Sequence, residues 1–129
     1  MGPQSVQPYQ PDRSIFGKLR RRLVKAYARR PAKRGSPDRP WLSVTFDDAP
    51  ASATTVGAEI LEAHGGKGVY YISAGLLGRD GHMGPYAQWA DVERLHADGH
   101  EIGCHTLDHT DLGWANAETT RDAVSTNRA

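Results

Sequence analysis

Trp41-Leu42-Ser43-Val44-Thr45-Phe46-Asp47-Asp48-Ala49-Pro50 is the stretch on which the reading of this chain turns. Leu42, Val44 and Phe46 alternate with Ser43, Thr45 and Asp47, the period-two pattern of a strand with one buried face. Two carboxylates and a proline then end the run, which places Asp47 and Asp48 at the carboxyl end of a strand.

Working downstream, Thr54 or Thr55 can cap a helix whose Val56, Ile60 and Leu61 form an apolar stripe, and Gly65-Gly66 offers a left-handed stop. Gly68-Val69-Tyr70-Tyr71-Ile72 reads as a buried strand. Residues 75–87 carry Gly75, Gly78, Gly81 and Gly84 and read as a loop. Trp89, Val92 and Leu95 mark a second helix closed by Gly99, His100 to Cys104 a third strand, and Asn116 a cap for a helix from Ala117 towards Arg128. Strands alternating with helices imply right-handed crossovers and a parallel sheet, so the fold class is α/β. The carboxyl ends of all three strands then share one edge, where folds of this kind hold their sites.

That edge collects Asp47 and Asp48 from the first strand and His105 from the third. His105 and His109 stand at i and i+4, so a helical turn from 105 onward brings both imidazoles to one face. With one carboxylate they make a three-ligand N2O set that leaves a position open for water, the arrangement of catalytic zinc sites. A second carboxylate can then take the proton of that water. The spacing does not say which aspartate has which role.

Thr45-Phe46-Asp47-Asp48-Ala49-Pro50, followed by two β-α units and Gly99-His100-Glu101-Ile102-Gly103-Cys104-His105-Thr106-Leu107-Asp108-His109, resembles the first two motifs of the polysaccharide deacetylase family. That family is also called the NodB-homology or carbohydrate esterase 4 family, and its patterns are T-F-D-D-G-P and H-[ST]-x-x-H. The resemblance covers roughly residues 41–112, with Ala49 in place of a glycine and Thr110 where a proline often follows the second histidine. It implies a distorted (β/α) barrel and a hydrolase that removes N-acetyl groups from N-acetylglucosamine-containing oligo- or polysaccharide. It also implies Asp47 as catalytic base, Asp48, His105 and His109 as metal ligands, and Zn2+ as the divalent ion. An N-acetylated glycan is the implied partner.

At 129 residues the chain is shorter than a complete barrel of roughly 200–250 residues. Residues 41–129 are therefore expected to form the N-terminal portion of such a domain, truncated before the family's later motifs. Those motifs supply a loop rich in arginine or proline, an aspartate-tryptophan region and a late histidine acting as general acid, and no residue here is assigned to them. On this view a metal-binding fragment without turnover is the alternative, and uncovered edges of a partial sheet favour aggregation or a partner.

Working upstream, the charge is sharply divided. Residues 1–40 hold 11 Lys and Arg against Asp12 and Asp38, a net +9, whereas residues 41–129 are −8. Residues 1–13 are polar, carry three prolines and read as a disordered tail. Residues 14–40 read as a basic amphipathic helix, with Ile15, Leu19, Leu23 and Ala26 at helical spacing, and then a proline-rich linker from Arg30 to Pro40. Arg21-Arg22-Leu23-Val24-Lys25 resembles a twin-arginine export signal, but the apolar run of about 7–15 residues that must follow is missing. A cytoplasmic protein is the expectation, with the arm's apolar face laid on the domain as the favoured reading and membrane association as the alternative. The arm can lay its apolar face on the domain or make peripheral contact with an anionic membrane surface. No nucleic-acid-binding signature accompanies its charge, so no nucleic acid partner is expected.

Cys104 is the only cysteine, which excludes an internal disulfide, and it reads as a buried, inert thiol. His64, His82, His96 and His100 read as structural or solvated. Trp41, Trp89 and Trp114 read as core, with Trp114 also placed to contact a sugar.

Overall fold

The computed structural model describes residues 13–28 and 40–128, which fall into two units divided after Trp41. The tail and the linker read from the sequence lie almost wholly outside the described residues.

In the first unit, α1 (Ile15–Tyr27) begins at Ser14, whose hydroxyl accepts the Gly17 N–H at 3.0 Å. It ends at Ala28, whose N–H reaches the Val24 carbonyl, with Lys25 in the last turn facing the negative end of the helix dipole. Its apolar side chains Ile15, Phe16, Leu19 and Leu23 are exposed.

The second unit is α/β. Strands β1 (Thr45–Phe46), β2 (Val69–Ile72) and β5 (Glu101–Cys104) form a parallel sheet in the order β1-β2-β5. Tyr70 pairs with Phe46 on one side and Ile102 on the other, so the three strands start level and end at one edge. β1 begins later than the alternation suggests: Val44 still accepts the Val69 N–H, whereas Trp41 and Leu42 are exposed. Between β1 and β2 a π-helical stretch, Ala53–Gly57, runs directly into α2 (Ala58–Ala63). After a 3-10 turn (Ala74–Leu76), the glycine-rich segment folds into a small hairpin, β3 (Asp80–Gly81) and β4 (Gly84–Pro85). α3 (Trp89–Ala97) opens with a capping box between Gln88 and Asp91, and α4 (Ala117–Arg128) opens with Asn116 accepting the Thr119 N–H.

The core lies between helices and sheet, where Ala49, Ala58, Tyr70, Ile72, Val92 and Leu95 are buried and Phe46 stacks on Tyr70 at 4.8 Å. Several sequence expectations fail here. Of the stripe expected on Val56, Ile60 and Leu61, Val56 and Ile60 point to solvent and Leu61 is half-buried; Ala53, Thr54 and Ala58 are buried instead. The wider π turn shifts the phase of the helix away from the 3.6-residue pattern. Thr54 and Thr55 are not caps, since both hydroxyls donate back to the Ala51 carbonyl. Trp41, Trp89 and Trp114 are exposed rather than core, because they stand before or at the ends of elements instead of on sheet-facing positions. Cys104 is exposed as well, its sulfur receiving the Asn127 Nδ2–H at 3.1 Å. The glycine stops hold, with Gly65 at φ 70 and Gly99 at φ 85.

At the amino edge of the sheet, buried His100 joins three elements. Its Nδ1 accepts the Gly68 N–H at 3.0 Å, so Nε2 carries the proton and donates to the Glu62 carboxylate at 2.8 Å. Arg94 approaches the same carboxylate at 3.5 Å and also bonds Asp98 and the Thr54 carbonyl. The His100 hydrogen bond holds the Glu62 carboxyl below its ordinary 4.5 against the opposing effect of desolvation, with help from the charges of Arg94 and Lys67. A carboxylate lowered in this way stabilises the fold above its unfolded pKa and loses that contribution as pH falls through the folded value. Wild-type stability is therefore expected to decline on acidification below about pH 4.5. In Glu62→Gln that part of the decline disappears, as urea unfolding across the acid range would show; an unchanged acid limb would refute the assignment.

Candidate metal centre

Because β1 and β5 run parallel, the residues that follow them meet at the carboxyl edge of the sheet. Asp48 lies two residues past β1 and His105 directly past β5. Parallel pairing continues one step beyond β5, with the His105 N–H on the Ile72 carbonyl at 3.0 Å, and Ser73 Oγ donates to the His105 carbonyl at 3.0 Å. His105 is thus held at both backbone groups before its side chain is placed.

His109 reaches the same point without a helix, contrary to the helical turn expected from the i, i+4 spacing. Residues 105–109 form an irregular turn in which Thr106 (φ 65) and His109 (φ 54) have left-handed backbone. Thr106 Oγ1 accepts the Thr110 N–H at 2.8 Å and closes the turn on itself. Outside it, the Leu107 N–H bonds the Ala123 carbonyl of α4, and the Leu107 carbonyl accepts the Gly75 N–H. Asn127 completes the support: its amide donates to the Ile72 carbonyl at 2.9 Å and accepts the Ala74 N–H at 2.7 Å.

The side chains of Asp48, His105 and His109 converge, each offering one ligand atom within 4.8 Å of the others. Asp48 Oδ1 stands 3.1 Å from His105 Nε2 and 3.2 Å from His109 Nε2. It is nevertheless buried and forms no hydrogen bond. A buried carboxylate oxygen without a hydrogen bond is costly unless something else satisfies it. Two ligands of a tetrahedral zinc at about 2.0–2.1 Å lie roughly 3.4 Å apart, close to both spacings. The donor set and the orphaned oxygen therefore fit a divalent ion. Asp47 is exposed and stands outside this trio.

The comparison with known proteins agrees with the geometry. Residues 34–129 match the family model described as Polysaccharide deacetylase. The chain belongs to the polysaccharide deacetylase family.

A chitin deacetylase of Arthroderma benhamiae is 32% identical over 77 residues, covering 59% of this chain and 19% of that protein. A chitin deacetylase of a Pestalotiopsis species is 32% identical over 75 residues, covering 58% of this chain and 24% of its own length. A protein named as a probable peptidoglycan-N-acetylglucosamine deacetylase of Arthroderma benhamiae is 32% identical over 76 residues, 58% of this chain and 16% of its own length. The chain thus spans about a fifth of the curated relatives it matches. No solved structure matches it significantly.

Within this domain, the non-glycine residues at positive φ among those described are Asp48 (61), Ala49 (41), Thr106 (65) and His109 (54). All four belong to the two motifs, and left-handed backbone costs a non-glycine residue roughly 1 kcal/mol or more. The family's glycine at the position of Ala49 thus has a physical reason, since glycine takes φ 41 without a Cβ penalty. The strain is held in place from the hairpin side, where the Ala87 N–H donates to the Ala49 carbonyl at 3.1 Å and Tyr86 bridges Pro50.

Tyr86 is a residue the sequence reading did not single out. Its ring covers Gly81, where an added Cβ would lie 2.6 Å from the ring. Burial, and secondarily the Asp48 charge, push its hydroxyl above the ordinary phenol value.

Proposed function

We propose that this chain forms the metal-binding part of a divalent-metal-dependent N-deacetylase acting on N-acetylglucosamine-containing glycan. The observation that carries the reading is the buried, unbonded Asp48 Oδ1 between two histidine Nε2 atoms. Asp48, His105 and His109 would hold the ion, with zinc favoured by the two-imidazole, one-carboxylate set. When bound, the ion supplies Lewis acidity towards an acetamide carbonyl and a water acidified to about neutral pKa.

The remaining steps belong to side chains. Asp47 is exposed next to Asp48 and would take the proton from the attacking water. An amine leaves only after protonation, and neither of the two motifs provides that donor, so metal binding and turnover are separable properties here. The names of the relatives make chitin-like or peptidoglycan-like chains the substrate class to test.

The test is calorimetric titration of the chain with Zn2+, alongside acetate release from N-acetylchitooligosaccharides. Stoichiometric binding lost in a His105→Ala, His109→Ala double variant supports the metal centre, and acetate release that follows loading supports the deacetylase. Failure of the wild-type chain to bind any divalent ion would overturn the proposal.

A further inference from the structure

α1 takes no part in the metal centre proposed above. Its sequence, IFGKLRRRLVKAY, holds Lys18, Arg20, Arg21, Arg22 and Lys25 and no acidic residue. At 100° per residue, Ile15, Phe16, Leu19, Leu23, Ala26 and Tyr27 fall in one sector of about 120°. Lys18, Arg21, Arg22 and Lys25 occupy an opposing sector of about 100°. The apolar side chains are exposed: Phe16 by 83%, Ile15 by 81% and Tyr27 by 87%, with Leu19 and Leu23 near one half.

We propose that α1 is a membrane-surface anchor that lies in the headgroup region of an anionic lipid bilayer. Charge complementarity selects that occupant: an all-cationic polar face beside a broad apolar face matches a surface with anionic headgroups over acyl chains. A nucleic acid would use the cations and leave six apolar side chains unsatisfied. Thirteen residues of helix measure about 20 Å, short of the roughly 30 Å hydrocarbon core. None of the described helices is long and apolar enough to cross a membrane, so α1 lies on the surface. A helix of this length is marginal in water, and burial of its apolar face in the interface supplies what propensity does not. The consequence for the domain is confinement near a bilayer, where a membrane-associated glycan would be met at high effective concentration.

The full chain would be sedimented with vesicles of phosphatidylcholine alone or containing phosphatidylglycerol. Binding is expected to need the anionic lipid and to weaken steeply as salt rises from about 0.1 M to about 1 M. Lys18→Gln with Arg22→Gln should lower partitioning roughly 30-fold. Leu19→Gln with Leu23→Gln, which keeps every charge, should lower it roughly 100-fold or more. The metal titration of these variants reports on the separate domain and should be unchanged. No binding to anionic vesicles would overturn the proposal. So would undiminished binding by the leucine variant with full competition by duplex DNA, which marks a polyanion-binding arm instead.

Discussion

Asp48→Asn is expected to leave the metal-free fold intact while lowering zinc affinity by more than two orders of magnitude. Asparagine has the same shape as aspartate and tolerates left-handed backbone about as well, so φ 61 at this position costs the variant nothing new. The buried Oδ1 has no hydrogen bond to lose. Replacing this half-buried carboxylate, whose Oδ1 is unbonded, by a neutral amide should change metal-free stability by no more than about 1 kcal/mol. Metal binding responds differently, because removing a ligand costs more than the 10–100-fold typical of removing an outer hydrogen-bond partner. For wild type, zinc at 100 times its Kd should add about 2.7 kcal/mol to unfolding stability, and the variant should show almost none of that gain. Asp47→Asn is the matched control: zinc affinity should stay within a few-fold, and acetate release, where wild type shows it, should disappear. The reverse pattern would exchange the roles proposed for the two aspartates.

What the sequence disclosed depended on how local each feature is. The parallel α/β sheet was legible because β2 is a short apolar run and because Gly65 and Gly99 end helices through left-handed conformations that only the local chain dictates. The face of α2 was not legible. Val56 and Ile60 outrank Ala53 and Ala58 in hydrophobicity, yet the π turn puts the small residues inside. A change of helical phase of that kind is not visible in a 3.6-residue pattern. The tryptophans misled for a related reason, since size argues for burial but position relative to the sheet decides it.

The candidate site was legible as a set of residues and not as a geometry. Spacing brought His105 and His109 together in the reading through a helix that does not form, and the true agents are backbone strain at Thr106 and His109 and outside supports from Gly75, Ala123 and Asn127. Long-range supports of this kind leave no periodic trace. Ala49 was visible as a departure from a motif, but its φ of 41 was needed to say why the motif wants glycine.

Gly75→Ala is the substitution expected to damage both fold and site most. Gly75 does not have the positive φ that usually explains a glycine; its constraint is closeness. A Cβ there would lie 2.2 Å from Asp108 Oδ1 and 2.8 Å from the Leu107 carbonyl oxygen, whose hydrogen bond with the Gly75 N–H ties the 3-10 turn to the histidine loop. The Asp108 carboxylate can rotate away, but the Leu107 carbonyl is backbone and can yield only by moving the turn between His105 and His109. Loss of that bond together with overpacking should destabilise the domain by about 2–3 kcal/mol. Displacing two ligands by even a few tenths of an ångström should also weaken zinc binding by at least tenfold, a cost that excess metal cannot fully recover. Gly65→Ala separates this from a general glycine effect: at φ 70, with open space around its Cβ, it should cost about 1 kcal/mol and leave zinc affinity unchanged. Equal zinc affinity in Gly75→Ala and wild type would mean that the histidine loop takes its shape from its own sequence rather than from the turn packed beneath it.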